Sequence, residues 1–104
     1  MRIIDAHLHF VNDFYFDRIA AAAGHENSAE HLREQYELQD IVHGIVMGNR
    51  GPEPGHHAYP EFLSYCVGIE RMAEAVRDME RQVALVEENL QRRECVGIKL
   101  YPGY

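Results

Sequence analysis

Two histidines stand one residue apart near the start of the chain, His7 and His9, within the run Ile3-Ile4-Asp5-Ala6-His7-Leu8-His9-Phe10. In an extended strand, residues two apart project to the same face, with Cα atoms about 6.6 to 7 Å apart. Two imidazoles so placed can converge on one divalent ion at about 2.0–2.1 Å from each nitrogen. Asp5 falls on the same face one step deeper, where its carboxylate can orient an imidazole or neighbouring backbone. Lys99 is the chain's only lysine. Its ammonium suits a substrate carboxylate or carbonyl, or a pairing with an inward carboxylate such as Glu70. Arg50 follows the apolar run Ile41–Gly48 and Asn49, where its planar fork can anchor an anionic substrate or make a surface ion pair.

Other chemistries find less support. Ser64 lacks the G-x-S-x-G setting of an activated serine, and neither Cys66 nor Cys95 has an activating partner nearby in sequence. His56 and His57 sit in a Gly- and Pro-rich segment, 49–57, that reads as a solvated loop. His25, His31 and His43 read as surface or packing residues. No residue is singled out as the general base.

These side chains need a scaffold, and the pattern of apolar residues supplies one. Four runs read as strands: Arg2–Phe10, Ile41–Gly48, Phe62–Ile69 and Cys95–Leu100. Asn12 or Asp13 can cap a helix over Phe14–Ala23, which Gly24 stops. Ser28 can cap a second, with Leu32 and Tyr36 on one face. Met72, Val76, Met79, Val83, Val86 and Leu90 alternate at spacings of four and three, predicting a helix over Met72–Arg92 that packs this stripe on a sheet. Strands separated by helices or long connections imply parallel pairing.

The strand faces sharpen the architecture. Ile4, Ala6, Leu8 and Phe10 make one face apolar, while Ile3, Asp5, His7 and His9 share the other. Val96, Ile98 and Leu100 likewise oppose Cys95, Gly97 and Lys99. Leu63, Tyr65, Val67 and Ile69 oppose Ser64, Cys66, Gly68 and Glu70. A sheet with helices on both faces needs apolar residues on both. One apolar face and one small or polar face fit a barrel better, with helices outside and chemistry at the C-terminal mouth of the strands.

Composition bounds the function class. The chain has 104 residues, 46% apolar and 26% charged, with 17 acidic against 10 basic residues and a net charge of −7. That is a globular composition. Its acidity argues against nucleic acid or an anionic membrane as partner. No apolar stretch approaches the ~18 residues of a membrane helix, and Asp5 interrupts any signal-peptide core. A cytoplasmic setting with both cysteines reduced follows as the expectation.

The segment Asp5-Ala6-His7-Leu8-His9 resembles the first-strand D-x-H-x-H signature of the amidohydrolase superfamily, and of its amidohydrolase-2 branch in particular. Val96-Gly97-Ile98-Lys99-Leu100-Tyr101-Pro102 is similar to that branch's fourth-strand segment. The resemblance implies a (β/α)8 TIM barrel, of which residues 1–104 would form the N-terminal half-barrel of about four β/α units. A whole barrel takes ~250 residues. It also implies a metal-dependent hydrolase acting on amide or ester bonds, with His7 and His9 as metal ligands. The metal would be zinc, with Mn2+ or Fe2+ as alternatives. In some relatives a carboxylated fourth-strand lysine bridges two metals, a role Lys99 could take. The family's ligands from strands five, six and eight have no counterpart here. Activity would therefore require a C-terminal half-barrel or a second copy of the chain besides a small-molecule substrate. Two alternatives stand beside this reading. One is an amidohydrolase-2-type non-oxidative decarboxylase of a carboxylated aromatic or muconate-like substrate; the other is a non-catalytic half-barrel that serves binding or assembly. A phosphoesterase of the polymerase-and-histidinol-phosphatase type also opens with H-x-H but lacks the fourth-strand segment.

Overall fold

The computed structural model describes residues 1–48, 50–69 and 76–100. The elements run β1 (Ile3–Leu8), α1 (Phe14–Ala22), α2 (Ala29–Leu38), β2 (Ile41–Met47), a 3-10 turn (Pro54–His56), β3 (Leu63–Ile69), a 3-10 turn (Val76–Asp78), α3 (Met79–Leu90) and β4 (Cys95–Leu100). All four strands are parallel and lie side by side in the order β1-β2-β3-β4. The fold is thus mixed α/β with one parallel sheet. Among the described residues no helix is long and apolar enough to cross a membrane. Asn49, Glu70, the expected helix start at Met72 and the end of the fourth-strand segment from Tyr101 lie outside the described residues.

Local chemistry sets the helix ends. Asp13 Oδ1 accepts the Phe16 N–H at 2.9 Å and starts α1, and Gly24, at φ +77°, takes the chain out of it. Ser28 Oγ accepts the His31 N–H at 3.2 Å and starts α2. Asp78 caps α3 through the Arg81 N–H. Each cap satisfies one of the amide donors a helix start leaves without partners, worth about 1 kcal/mol.

One face of the sheet is dry. Leu63, Tyr65 and Val67 are at most 3% exposed, whereas Ser64 and Cys66 between them are half-buried. Tyr36 of α2 and Val86 of α3 join Val46, Leu63, Tyr65, Val67 and Cys95 in one cluster, so both helices cover the same side. Burial of each large apolar side chain there contributes about 1.5–3 kcal/mol. The sheet's edges are less covered: Ile4 on β1 and Val96, Ile98 and Leu100 on β4 are each about half exposed.

Three packing details depart from the alternation and periodicity read in the sequence. Asp5 and Leu8 of β1 pair with Gly44 and Val46 of β2, so three steps on one strand match two on the other. Leu8 and Asp5 consequently both approach Gly44, where Leu8 Cδ2 and the hydroxyl of Tyr36, which binds Asp5, fill the space a Cβ would need. Tyr65 pairs with Cys95 but Cys66 pairs with Gly97, one step against two. Cys95 therefore packs in the helix-side cluster rather than beside Gly97 and Lys99. In both places an irregular register reverses the side on which the next residue falls.

The third departure concerns α3. Met79, Val83 and Leu90 of the expected stripe remain 45–49% exposed, as does Val76 at 57%, and only Val86 of the described stripe is buried. Asn89 turns the helix instead. Fully buried, it accepts the Tyr65 hydroxyl at 2.7 Å and donates to Pro52 O at 2.6 Å and Leu85 O at 2.8 Å. Arg92 follows, donating to Pro54 O at 2.7 Å and His57 O at 2.9 Å while Glu94 holds it at 2.9 Å. This network ties the β2–β3 loop to the C-terminal end of α3. Replacing Asn89 with Ala leaves the buried Tyr65 hydroxyl, which still accepts from Arg92 at 3.2 Å, without its acceptor and takes from the Pro52 carbonyl this donor, at a cost of about 3 kcal/mol. Urea unfolding is expected to show that loss, against about 0.5 kcal/mol for Val83→Ala at a half-exposed position of the same helix.

Candidate metal centre

The centre begins with how α2 holds β1. Asp5 uses both carboxylate oxygens: Oδ2 accepts the Tyr36 hydroxyl at 2.9 Å and Oδ1 accepts the His7 backbone N–H at 3.2 Å. Burial, and then the Asp5 hydrogen bond and charge, push the Tyr36 hydroxyl well above the usual phenol range, which keeps it a donor. Asp5 therefore positions the backbone of the first candidate ligand from a side chain anchored in the core.

His7 is the penultimate residue of β1, and His9 lies one residue past the strand's end. Their rings nonetheless fall on the same side, with centroids 5.3 Å apart and planes at 77°. Each ring centre stands about 3.2 Å from a zinc ion bound through a ring nitrogen, so two imidazoles on one tetrahedral ion have centres about 5.2 Å apart. The spacing of His7 and His9 fits that requirement. Both residues are exposed, which leaves the pair open to an ion from solvent. Among the described residues no group of three or more His, Cys, Asp or Glu side chains could hold a metal, and two imidazoles are fewer than the three or four protein ligands of a zinc site.

A second histidine pair provides a contrast. His25 and His31 also have ring centres 5.3 Å apart, but His25 Nδ1 and His31 Nε2 are 3.0 Å apart. This leaves only about 1.1 Å at each end, the distance from a ring nitrogen to its ring centre, so the nitrogens point at one another. Such a pair shares a proton instead of chelating an ion. His9 lines a cleft of about 300 Å3 together with Phe10, Phe16, Ile19, Leu32 and this pair.

The remaining candidates stand apart from the imidazoles. Arg50 donates to Asn12 O at 3.1 Å and lines a different cavity, of about 400 Å3, with Val11, Asp13, Phe16 and His56. It joins the loop after β1 to the loop after β2. Lys99 lies on β4, at the opposite edge of the sheet from β1, about 14 Å away at three strand spacings along the sheet. It pairs in register with Gly68 on the half-buried face. Its charge partly offsets the burial that pushes the Cys66 thiol up. The four described strands thus bring His7 and His9 together, with Lys99 on the opposite edge strand and Arg50 in a neighbouring cavity that shares Phe16 with the cleft His9 lines.

His57 is where the structure corrects the sequence reading most. It is 1% exposed, stacked on Tyr65 at 4.6 Å with planes 8° apart. Nε2 bonds Gly51 O at 2.8 Å, which requires it to carry the proton, so Nδ1 accepts the Tyr59 hydroxyl at 3.0 Å. Tyr59, two residues on, was the only local sign of this aromatic nest; Tyr65 reaches it from β3 and Arg92 from beyond α3. His43, likewise read as surface or packing, bonds Ser64 Oγ through Nε2 at 2.8 Å. Comparisons of the chain with protein-family models, curated proteins and solved structures find no match.

Burial, opposed in part by the Gly51 hydrogen bond and aided by the Arg92 charge, pushes the His57 imidazole below its ordinary value. The unfolded chain then binds a proton near pH 6.5 that the folded chain still refuses. Stability is full above that pH and falls as pH drops through and below it, levelling out under the folded-state value. Thermal melts between pH 7.5 and 5.5 are expected to show this slope, and His57→Phe, which keeps the stack on Tyr65, is expected to flatten it.

Proposed function

We propose that this chain contributes the first four β/α units of a (β/α)8 barrel, with His7 and His9 as the first-strand ligands of a metal-dependent hydrolase of amidohydrolase type. The observation that carries the reading is the pair of imidazoles 5.3 Å apart at the C-terminal end of β1. Strand order supports the barrel. Crossovers between parallel neighbours are nearly always right-handed, so an unbroken order 1-2-3-4 winds every connection onto one face. A sheet of this kind has no reversal point at which helices could pass to the other face, and closure is the way it covers that face. β1 and β4 are the edges of the described sheet, where further strands would pair, supplied by a C-terminal half-barrel or a second copy of the chain.

Zinc is the favoured ion, since two imidazoles suit it, with Mn2+ or Fe2+ as alternatives. When bound, such an ion lowers the pKa of water and polarises a substrate carbonyl. Asp5 keeps His7 in place through its backbone, and Tyr36 keeps Asp5 in place. The Arg50 guanidinium and the Lys99 ammonium offer anchors for a carboxylate or carbonyl of a small amide or ester substrate once the mouth is complete. The general base and the remaining ligands come from the completing strands. A reducing cytoplasm suits two free cysteines, Cys66 and Cys95.

Calorimetric titration with zinc tests the centre without any assay of activity. One ion per chain is expected, and His7→Ala and His9→Ala are each expected to weaken binding by at least about tenfold. Undiminished binding by the double variant would overturn the assignment.

A further inference from the structure

We propose that His43 and Ser64 form a base–nucleophile pair that takes acyl groups from small carboxylic esters at the N-terminal end of the sheet. His43 Nε2 and Ser64 Oγ are 2.8 Å apart, within the range at which an imidazole can accept a serine proton as the oxygen attacks. They come from neighbouring strands, His43 as the third residue of β2 and Ser64 as the second of β3. Both side chains are half-buried, sheltered yet reachable. Together they line a cavity of about 800 Å3 with Tyr59, Arg92, Arg93 and Glu94, roomy enough for a small ester beside the serine. His7, by contrast, is the fifth of six residues in β1, so this pair is separate from the metal centre and does not depend on it.

The chemistry closes without an added oxidant or reductant. Ser64 Oγ bonds to the ester carbonyl carbon as its proton passes to His43 Nε2. The ester C–O bond then breaks, and the departing alkoxide takes that proton from the imidazole, leaving an acyl-serine. Water attacks the acyl carbon, gives up a proton through the same imidazole, and releases the acid and the original hydroxyl.

The chain contains only one other serine, Ser28, and no threonine. Ser28 Oγ is occupied as the cap of α2, which makes it an internal control. The full chain, metal-free and zinc-loaded, is to be treated with a fluorophosphonate probe and mapped by peptide mass spectrometry. Label at Ser64 and none at Ser28 is expected, unchanged by zinc. His43→Gln, which keeps a polar partner for the hydroxyl but cannot take its proton, is expected to slow labelling at least about 100-fold. 4-Nitrophenyl acetate is expected to leave an acetyl group at Ser64 that Ser64→Ala loses. Equal labelling of both serines, or no label at Ser64, overturns the proposal using the parent chain alone. A His43→Gln variant that melts like the parent and labels at the parent rate overturns it as well.

Discussion

Strand order constrains everything else in this molecule. When parallel neighbours follow one another in sequence, right-handed crossovers place each connection on the same side of the sheet. Here α2 and α3 both deliver their buried side chains, Tyr36 and Val86, to the cluster built on Leu63, Tyr65 and Val67. Among the described residues the opposite face has no such cover, and it is made of smaller or more polar groups, Ser64, Cys66, Gly68 and Gly97. Gly48 and Gly68 show how tightly the two middle strands approach: a Cβ on Gly48 would lie 2.5 Å from Cys66 O, and one on Gly68 would strike Gly48 O. Side chains are excluded there by the neighbouring backbone.

The β2–β3 connection, which contains no α-helix, meets the same constraint by polar means. Its carbonyls would be left without partners against the dry face if nothing reached them. Asn89 and Arg92, from the end of α3 and the turn after it, donate to Pro52 O, Pro54 O and His57 O. His57 completes the arrangement by donating to Gly51 O. A neutral imidazole can donate from one nitrogen while accepting on the other, so it satisfies both neighbours without a buried charge, whereas a charged ring would force the Tyr59 hydroxyl to reverse its role. The lowered affinity of His57 for a second proton and the architecture of the loop are one fact seen from two sides.

What could be read from the sequence were features decided within a few residues. The four strands, the caps Asp13 and Ser28, and the break at Gly24 depend on side chains bonding to adjacent backbone or on short apolar runs. The common side of His7 and His9 was legible for the same reason. What escaped was decided by partners far along the chain. Cys95 faces the helices because β4 slips against Tyr65 and Cys66, and no pattern inside Cys95–Leu100 encodes that slip. The α3 stripe is turned from the sheet by Asn89, whose value depends on Tyr65 and Pro52 being in reach. His57 lies in a segment with every mark of an exposed loop, and is buried by Tyr65 and Arg92. The same limit kept the His43–Ser64 contact out of view, since it spans 21 residues between strands that only the sheet brings together.

Asp5 shows how the proposed centre would be prepared before an ion arrives. Its contact with His7 is to the backbone amide, so it locates the residue and leaves the ring's rotation to other forces. A carboxylate bonded to a ring nitrogen would instead fix the tautomer. Carrying both imidazoles on one strand end means that folding β1 brings them close as a unit, and the proposed binding would have fewer degrees of freedom to arrest. The cost of ordering the rest would fall on whichever elements bring the remaining ligands. That division explains why the pair can have the spacing for a shared ion before any other ligand is in place.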